Sequence, residues 1–479
     1  MSIQLSKQLT ALLCVAFAVL IYFINPFGVP PAGAKVIALA SLLIVLWVTE
    51  AIPMPVTALL PLVLFPLLNV APIKATASWY ANEVIFLFMG GLMLGLAIEK
   101  WNLHRRIALN IIRLTGTSGD RIILGFIVST GLISMWLSNT ATTMMMFPIA
   151  LSVVKVIEEN HSHKKGVTNF ATCIMIAIAL SSNFGGIATI IGTPPNVNYA
   201  NFMSGNQKYT IAFADWMLLC MPLAIILLLI FYFVMVKWLY PNGMKSDDGT
   251  RSVIYNELAA LGKTSAPEKR VFIIFTATAL LWIFKDLLNK LSPLKLDDNM
   301  IAIIGATTLF ITPNGKDKEA LLLWSDTKKM AWGILLLFGG GIALATALEK
   351  AGLIQLLGVW FTQFQFDALL LIFLVTLISL FISEVMSNIA QVIVFAPVVT
   401  ELARVAGLHP LQLGIPMTLA ASCASMLPMG TPPNAIAFSS GYIKLKDMTK
   451  VGFVMNIISV ILITLFCWLL LPLIFPLSP

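Results

Sequence analysis

Apolar runs long enough to cross a bilayer, each broken near its middle by the same polar pair, restrict this chain more than any other feature. Ser138-Asn139-Thr140 interrupts the run over residues 121–156, and Ser387-Asn388-Ile389 interrupts the run over 367–404. A proline follows each serine by ten residues, Pro148 and Pro397. Small polar residues at bilayer depth leave groups that hydrocarbon cannot satisfy, so such breaks are tolerated only where they line protein or a water-filled cavity. Two matching breaks point to one site assembled from two repeats.

The 479 residues are 59% hydrophobic and only 11% charged. Soluble domains carry about 25% charged residues, so the fold class is an all-α polytopic membrane protein. The net charge of +8 implies no nucleic acid, because the basic residues fall between apolar spans and act as topology signals. A span needs ~20 apolar residues. Eleven are expected, at about 9–27, 35–52, 54–70, 84–100, 168–200, 212–236, 271–288, 299–313, 332–350, 411–438 and 451–476. The broken runs 121–156 and 367–404 read as re-entrant helical hairpins, each entering and leaving by one face. With the N-terminus inside, the inside segments hold 22 of the 30 Lys and Arg residues, the expected asymmetry. This orientation puts the C-terminus outside, the first hairpin opening inward and the second outward. The run Leu9 to Ile24 is read as a retained span. Only Lys7 supplies a charge before it, and Pro30-Pro31 crowds the small-residue stretch Ala32-Gly33-Ala34 that a signal peptidase would need.

Internal repetition organises the rest. LFMGGLMLGLAIEK at 87–100 matches LFGGGIALATALEK at 337–350, the Ser-Asn pairs follow, and Gly192-Thr193-Pro194-Pro195-Asn196 matches Gly430-Thr431-Pro432-Pro433-Asn434. An odd number of crossings separates the copies, so the second is inverted. Four segments are expected: a first transmembrane helix in 1–34, a first inverted repeat in 35–236 with a broken helix at 168–200, a cytoplasmic linker in 237–270, and a second repeat in 271–479 with a broken helix at 411–438. Asp247-Asp248-Gly249 and Gly262-Lys263-Thr264 in the linker lack the glycine spacing of a nucleotide site. His104, Arg105, Arg106 and Arg113 sit at helical spacing among apolar residues, which predicts an amphipathic helix along the inner interface. The five cysteines lack metal or disulfide spacing and read as packing thiols.

At each Ser-Asn tip one helix ends and another begins. Ending carbonyls suit a small cation, and starting N–H groups suit an anion. Ser and Asn can coordinate a cation through oxygen or donate to a carboxylate, and hard oxygen ligands fit Na+ better than a soft metal. The Gly-Thr-Pro-Pro-Asn segments break two more helices, since proline removes a donor and disfavours helix before it. No Arg, Lys or His lies in these motifs, so a bound dianion would depend on helix ends and co-bound cations. Glu384, three residues before Ser387, is an ionisable group at bilayer depth. It orients the second tip, responds to protons or is a hydrogen-bonded structural carboxylate. Glu50, Glu99 and Glu349, near span ends, read as structural. His161 and His163 offer too few ligands for a metal and read as a solvated loop.

Together these motifs, from Trp47-Val48-Thr49-Glu50-Ala51-Ile52-Pro53 onward, resemble the divalent anion/Na+ symporter family, bacterial relatives of the animal sodium-dicarboxylate and citrate carriers. The resemblance implies a homodimer in the plasma (inner) membrane, in which transport domains move as elevators against a scaffold. It implies Na+ sites at Ser134, Ser138, Asn139 and Gly186 and at Ser383, Ser387, Asn388 and Ala424. Substrate carboxylates would contact Ser138-Asn139-Thr140, Ser387-Asn388, Thr193-Pro194 and Thr431-Pro432. The hydroxyls of Ser134 and Ser383 favour Na+ coupling over exchange. Ile389 stands where many members have Thr, which removes a donor and weakens the case for citrate. The expected activity is Na+-coupled symport of a four-carbon dicarboxylate such as succinate, fumarate or malate. The alternative within the family is a Na+-independent dicarboxylate exchanger or a sulfate or citrate carrier. An intramembrane enzyme would need a catalytic pair at membrane depth, and the sequence offers none. Inverted repeats closing on broken helices argue for alternating access over a continuous pore.

Overall fold

The computed structural model describes residues 6–160, 164–244, 248–291, 293, 295–353, 356 and 367–475. His161, His163 and Asp247 lie outside them. The described chain is helical, with one isolated antiparallel bridge between Pro313 and Ala320. In the first half run α1 (Lys7–Ile24), α2 (Pro31–Thr49), α3 (Met54–Leu67), α4 (Ile73–Ser78), α5 (Glu83–Lys100), α6 (Leu103–Thr115), α7 (Gly119–Ser134), α8 (Asn139–Asn160), α9 (Lys164–Gly186), α10 (Pro194–Gln207) and α11 (Phe213–Phe233). In the second run α12 (Asp248–Ala260), α13 (Ala266–Leu291), α14 (Asp298–Ile311), α15 (Trp332–Lys350), α16 (Ala368–Ser383), α17 (Asn388–Val405), α18 (Pro410–Ser422), α19 (Pro432–Phe438) and α20 (Leu445–Ile474).

Nine helices among the described residues are long and apolar enough to cross a membrane by length and composition. The expected spans at 54–70 and 299–313 form α3 and α14, of 14 residues each. At ~1.5 Å per residue these reach about 21 Å, less than the ~30 Å hydrocarbon core. Pro313 stops α14 by pushing Thr312 out of the helical region, to φ −73°, ψ 122°. The two broken helices stop at Gly186 and Ser422 and restart at Pro194 and Pro432. Thr193 and Thr431 precede those prolines in matching extended conformations, φ −143° in both. Proline at the first helical position then starts each new helix without losing a hydrogen bond.

The repeats interlock. α5 packs on α14 and α15 packs on α3, so each copy's glycine-rich helix lies against a helix of the other. Gly90 and Gly340, matched positions in the two copies, make this possible, because a Cβ at either would overlap the backbone of Ala302 or Ala58. The restarted helices also cross over: α10 packs on α17 and α18, and α19 packs on α8 and α9. α9 lies at the centre, 89% of its apolar window buried, whereas α1 at 11% and α13 at 17% form the perimeter.

Two expectations change here. The 237–270 segment is more than a solvated linker, because α12 packs on α6 and α8. Its Glu257 pairs with Arg105, and Glu268 pairs with Arg106 at 2.8 Å. The basic helix α6 keeps its apolar face, Leu103, Ala108, Leu109 and Ile112, buried in protein against α7. Sequence periodicity finds the amphipathic face but not what covers it. All five cysteines are buried and free.

Candidate functional site

Each Ser-Asn tip is a reversal of the chain. In the second, Gln391 Nε2 donates to the Ser379 carbonyl at 2.7 Å. Twelve residues of continuous helix would hold those positions about 18 Å apart, so α17 folds back beside α16. In the first, Ser134 Oγ lies 2.8 Å from the Ser182 carbonyl, and Thr143 Oγ1 donates to the Ser182 hydroxyl at 2.9 Å. α7 and α8 therefore meet the same residue of α9 from either side of the turn.

Behind each tip sits a cluster of oxygens short of protons. Ser134 Oγ is 2.8 Å from both Asn139 Oδ1 and Ser182 O; Ser383 Oγ is 2.7 Å from Asn388 Oδ1 and 2.6 Å from Ala421 O. A hydroxyl carries one proton, so it satisfies one of these contacts and leaves the other as oxygen against oxygen. A small hard cation would stabilise such a cluster, and neutral oxygens suit a monovalent one. Gly186 closes the first cluster: a Cβ there would overlap Asn139 Oδ1. Ser134, Ser383 and Ala424 are fully buried. Among the described residues, no group of three His, Cys, Asp or Glu side chains could hold a metal ion.

In front of the tips lies one cavity of ≈ 830 Å³, lined by Ser138, Asn139, Thr140, Thr193, Pro194, Ser387, Asn388, Ile389, Thr431 and Pro432. The structure thus brings together every residue expected to touch substrate, with the remaining cation candidates Ser134, Gly186, Ser383 and Ala424 outside its lining. Four helices, α8, α10, α17 and α19, begin at residues of this lining. Each helix start carries about half a positive elementary charge, so the four approach the charge that balances a dianion. The prolines of α10 and α19 leave fewer N–H donors there, and the Thr193 and Thr431 side chains stand in that place.

The wall corrects one expectation. Lys329 lines the cavity along with Glu50 and Glu99, all three exposed. A lysine therefore does share the cavity, and two glutamates expected to be merely structural border it. Lys329 ends a short 3-10 helix, Trp324–Lys329, between α14 and α15, remote from either motif in sequence.

Glu384 resolves into a structural carboxylate. It is 4% exposed and accepts from the N–H groups of Ser425, Met426 and Leu427 at 2.8–3.1 Å and from Asn456 Nδ2 at 2.6 Å. It thereby pins the second tip to the unwound 423–431 segment. In the first copy the Thr189 hydroxyl makes that link, donating to the Met135 carbonyl at 2.6 Å, while Asn196 ties the break to α10, its Nδ2 2.9 Å from Thr189 O and 3.4 Å from the carbonyls of Gly186 and Ile187. Sequence reasoning missed Ser182, Asn183 and Asn198, and gave no role of their own to Asn196 and Asn434, which close the paired Gly-Thr-Pro-Pro-Asn motifs. The available signal was Ser181-Ser182-Asn183, a polar triplet inside a long apolar run.

Residues 5–474 match the family described as the sodium:sulfate symporter transmembrane region. Over 466 residues the chain is 38% identical to a sodium-dependent dicarboxylate transporter, SdcS, of Staphylococcus aureus strain USA300, covering 96% of this chain and 90% of that protein. It is 36% identical over 464 residues to the protein of that name from Staphylococcus saprophyticus, covering 95% and 89%. Among solved structures, the Alcanivorax borkumensis YdaH transporter aligns with a TM-score of 0.57 at 14% identity, covering 83% of this chain and 86% of that one. Neisseria gonorrhoeae MtrF aligns with a TM-score of 0.54, also at 14% identity, covering 83% of each. These last two likenesses concern the fold alone.

Proposed function

This chain belongs to the sodium:sulfate symporter family, and from that premise we propose that it couples Na+ to the uptake of four-carbon dicarboxylates such as succinate, fumarate or malate. It is a multi-pass membrane transporter and not an enzyme. The observation that carries the proposal is the convergence of two proton-poor oxygen clusters and four helix starts on one cavity. Support for the substrate class comes from the sodium-dependent dicarboxylate transporters that match nearly the whole chain.

In this reading Na+ binds first, at Ser134, Ser138, Asn139 and Gly186 and at Ser383, Ser387, Asn388 and Ala424. It orders the tips and supplies positive charge at the Ser-Asn motifs, which carry no Arg, Lys or His of their own. The dianion then enters between Ser138-Asn139-Thr140 and Ser387-Asn388, beside Thr193-Pro194 and Thr431-Pro432. The loaded domain moves as an elevator against a scaffold, within a homodimer in the plasma membrane. Lys329 lies on a segment that the Lys and Arg count assigns to the cytoplasm, and Glu50 and Glu99 lie at the cytoplasmic ends of their expected spans, so the cavity is read as the inward-facing one. The N-terminus is then cytoplasmic and the C-terminus outside.

Uptake of radiolabelled succinate into proteoliposomes, with and without an inward Na+ gradient, tests this. Accumulation is expected only with the gradient, with fumarate and malate competing better than citrate or sulfate. Equal uptake without Na+, driven by internal dicarboxylate, would make the protein an exchanger; strong competition by sulfate or citrate would reassign the substrate.

A further inference from the structure

Asn183 is the side chain that joins the two halves of the site. It lies on α9, is 1% exposed and lines the cavity. Its carbonyl oxygen accepts from Asn139 Nδ2 at 3.4 Å, while its amide nitrogen donates to Thr431 Oγ1 at 3.2 Å and to Asn434 Oδ1 at 3.3 Å. Asn434 continues the chain of bonds to the Leu427 carbonyl at 3.1 Å, inside the second break. One buried amide therefore touches the first tip on one side and the start of α19, from the other repeat, on the opposite side.

We propose that Asn183 is a positioning residue that transmits cation binding at the first tip to the substrate contacts of the second repeat. The proposal rests on the Na+–dicarboxylate reading above. The Asn139 amide is planar, and its oxygen belongs to the first oxygen cluster. A cation drawing in that oxygen turns the whole amide and carries Nδ2 with it. Asn183 follows, and with it the Thr431 hydroxyl that lines the cavity and the Asn434 side chain behind it. The bridging contacts sit at the long end of the hydrogen-bond range, so they can shorten as the cation binds. An amide suits this position because it accepts one bond on one side and donates two on the other, whereas a hydroxyl has a single proton to give. An aspartate keeps the shape and the acceptor but loses both donated bonds.

Linkage requires that Na+ raise succinate affinity by the factor by which succinate raises Na+ affinity, so the bridge is read as that shared factor. The experiment measures the half-saturating Na+ concentration for uptake, at low and at saturating succinate, in proteoliposomes of wild type, N183A and N183D. In the wild-type protein saturating succinate should lower it by about 5-fold or more. In both variants the shift should shrink to less than about 2-fold, on the same linkage. A residue needed only for packing would lower uptake at every Na+ concentration and leave the shift intact; that outcome in N183D, which preserves volume, overturns the proposal even where N183A fails to fold. A wild-type protein indifferent to Na+ would instead remove the functional reading, and this inference with it.

Discussion

Asn139 and Asn388 each place one oxygen beside a buried serine hydroxyl while standing in the cavity wall. In the proposed reading they link cation and substrate, so N139A and N388A should each abolish Na+-dependent succinate uptake while membrane expression holds. Normal uptake by either variant would defeat the assignment. Gly185 and Gly186 are neighbours with different tasks. A methyl on Gly186 would overlap only the Asn139 side-chain oxygen, which can swing away, whereas one on Gly185 would overlap the Gly131 backbone. G186A should therefore fold and require roughly 10-fold more Na+, about the loss of one hydrogen-bond-sized interaction. G185A should lose ~1–3 kcal/mol of stability by overpacking, read as a lower unfolding temperature. Ile389 lines the cavity, and its carbonyl accepts from Asn198 Nδ2 at 3.4 Å. I389T adds a hydroxyl without touching that backbone bond, so it should change the ranking of competing dicarboxylates and citrate; an unchanged ranking would show that the position does not select.

Among the elements, α6 and the α12–α13 segment show how a polar stretch becomes structural. Arg106 donates to Glu268 at 2.8 and 3.3 Å and to the carbonyls of Gly262 and Leu261 at 3.0 and 3.1 Å. The Glu268 side chain is 5% exposed. Removing one partner of a buried pair strands the other charge, at a cost of ~3–5 kcal/mol. R106A should thus be strongly destabilised, and R106A/E268A less so than R106A alone. A double-mutant cycle in thermal unfolding checks this, with additive losses excluding the coupling. The broken helices illustrate the complementary case. Their restart points were legible because Thr-Pro-Pro dictates an extended residue and then a helix start. The endpoint at Ser422 was not, because it depends on Glu384 holding three N–H groups of the segment beyond.

For the whole molecule, the interlocked repeats make ligand binding a matter of global stability. A ligand that contacts both halves stabilises the folded state by RT ln(1 + [L]/Kd), about 2.7 kcal/mol at 100 times Kd. Na+ and succinate together should therefore raise the unfolding temperature by more than the sum of their separate effects, with K+ unable to replace Na+. Strictly additive shifts would mean that the cation and substrate sites do not communicate. Lys329, Glu50 and Glu99 belong to this scale as well, since three segments far apart in the chain meet at one cavity.

By itself the amino-acid sequence determined the membrane class, the two tips, the paired helix restarts and the duplication. Each of these is written in local patterns: apolar run length, a polar pair at mid-span, proline's missing donor and short stretches of repeated sequence. Only the tertiary structure decided that α10 and α19 exchange between repeats, that Ser182 and Ala421 complete the oxygen clusters, that a lysine shares the cavity, and that Asn183 spans its two halves. Those outcomes rest on which helices pack together. That choice is made by side-chain contacts between residues far apart along the chain, which no local pattern records.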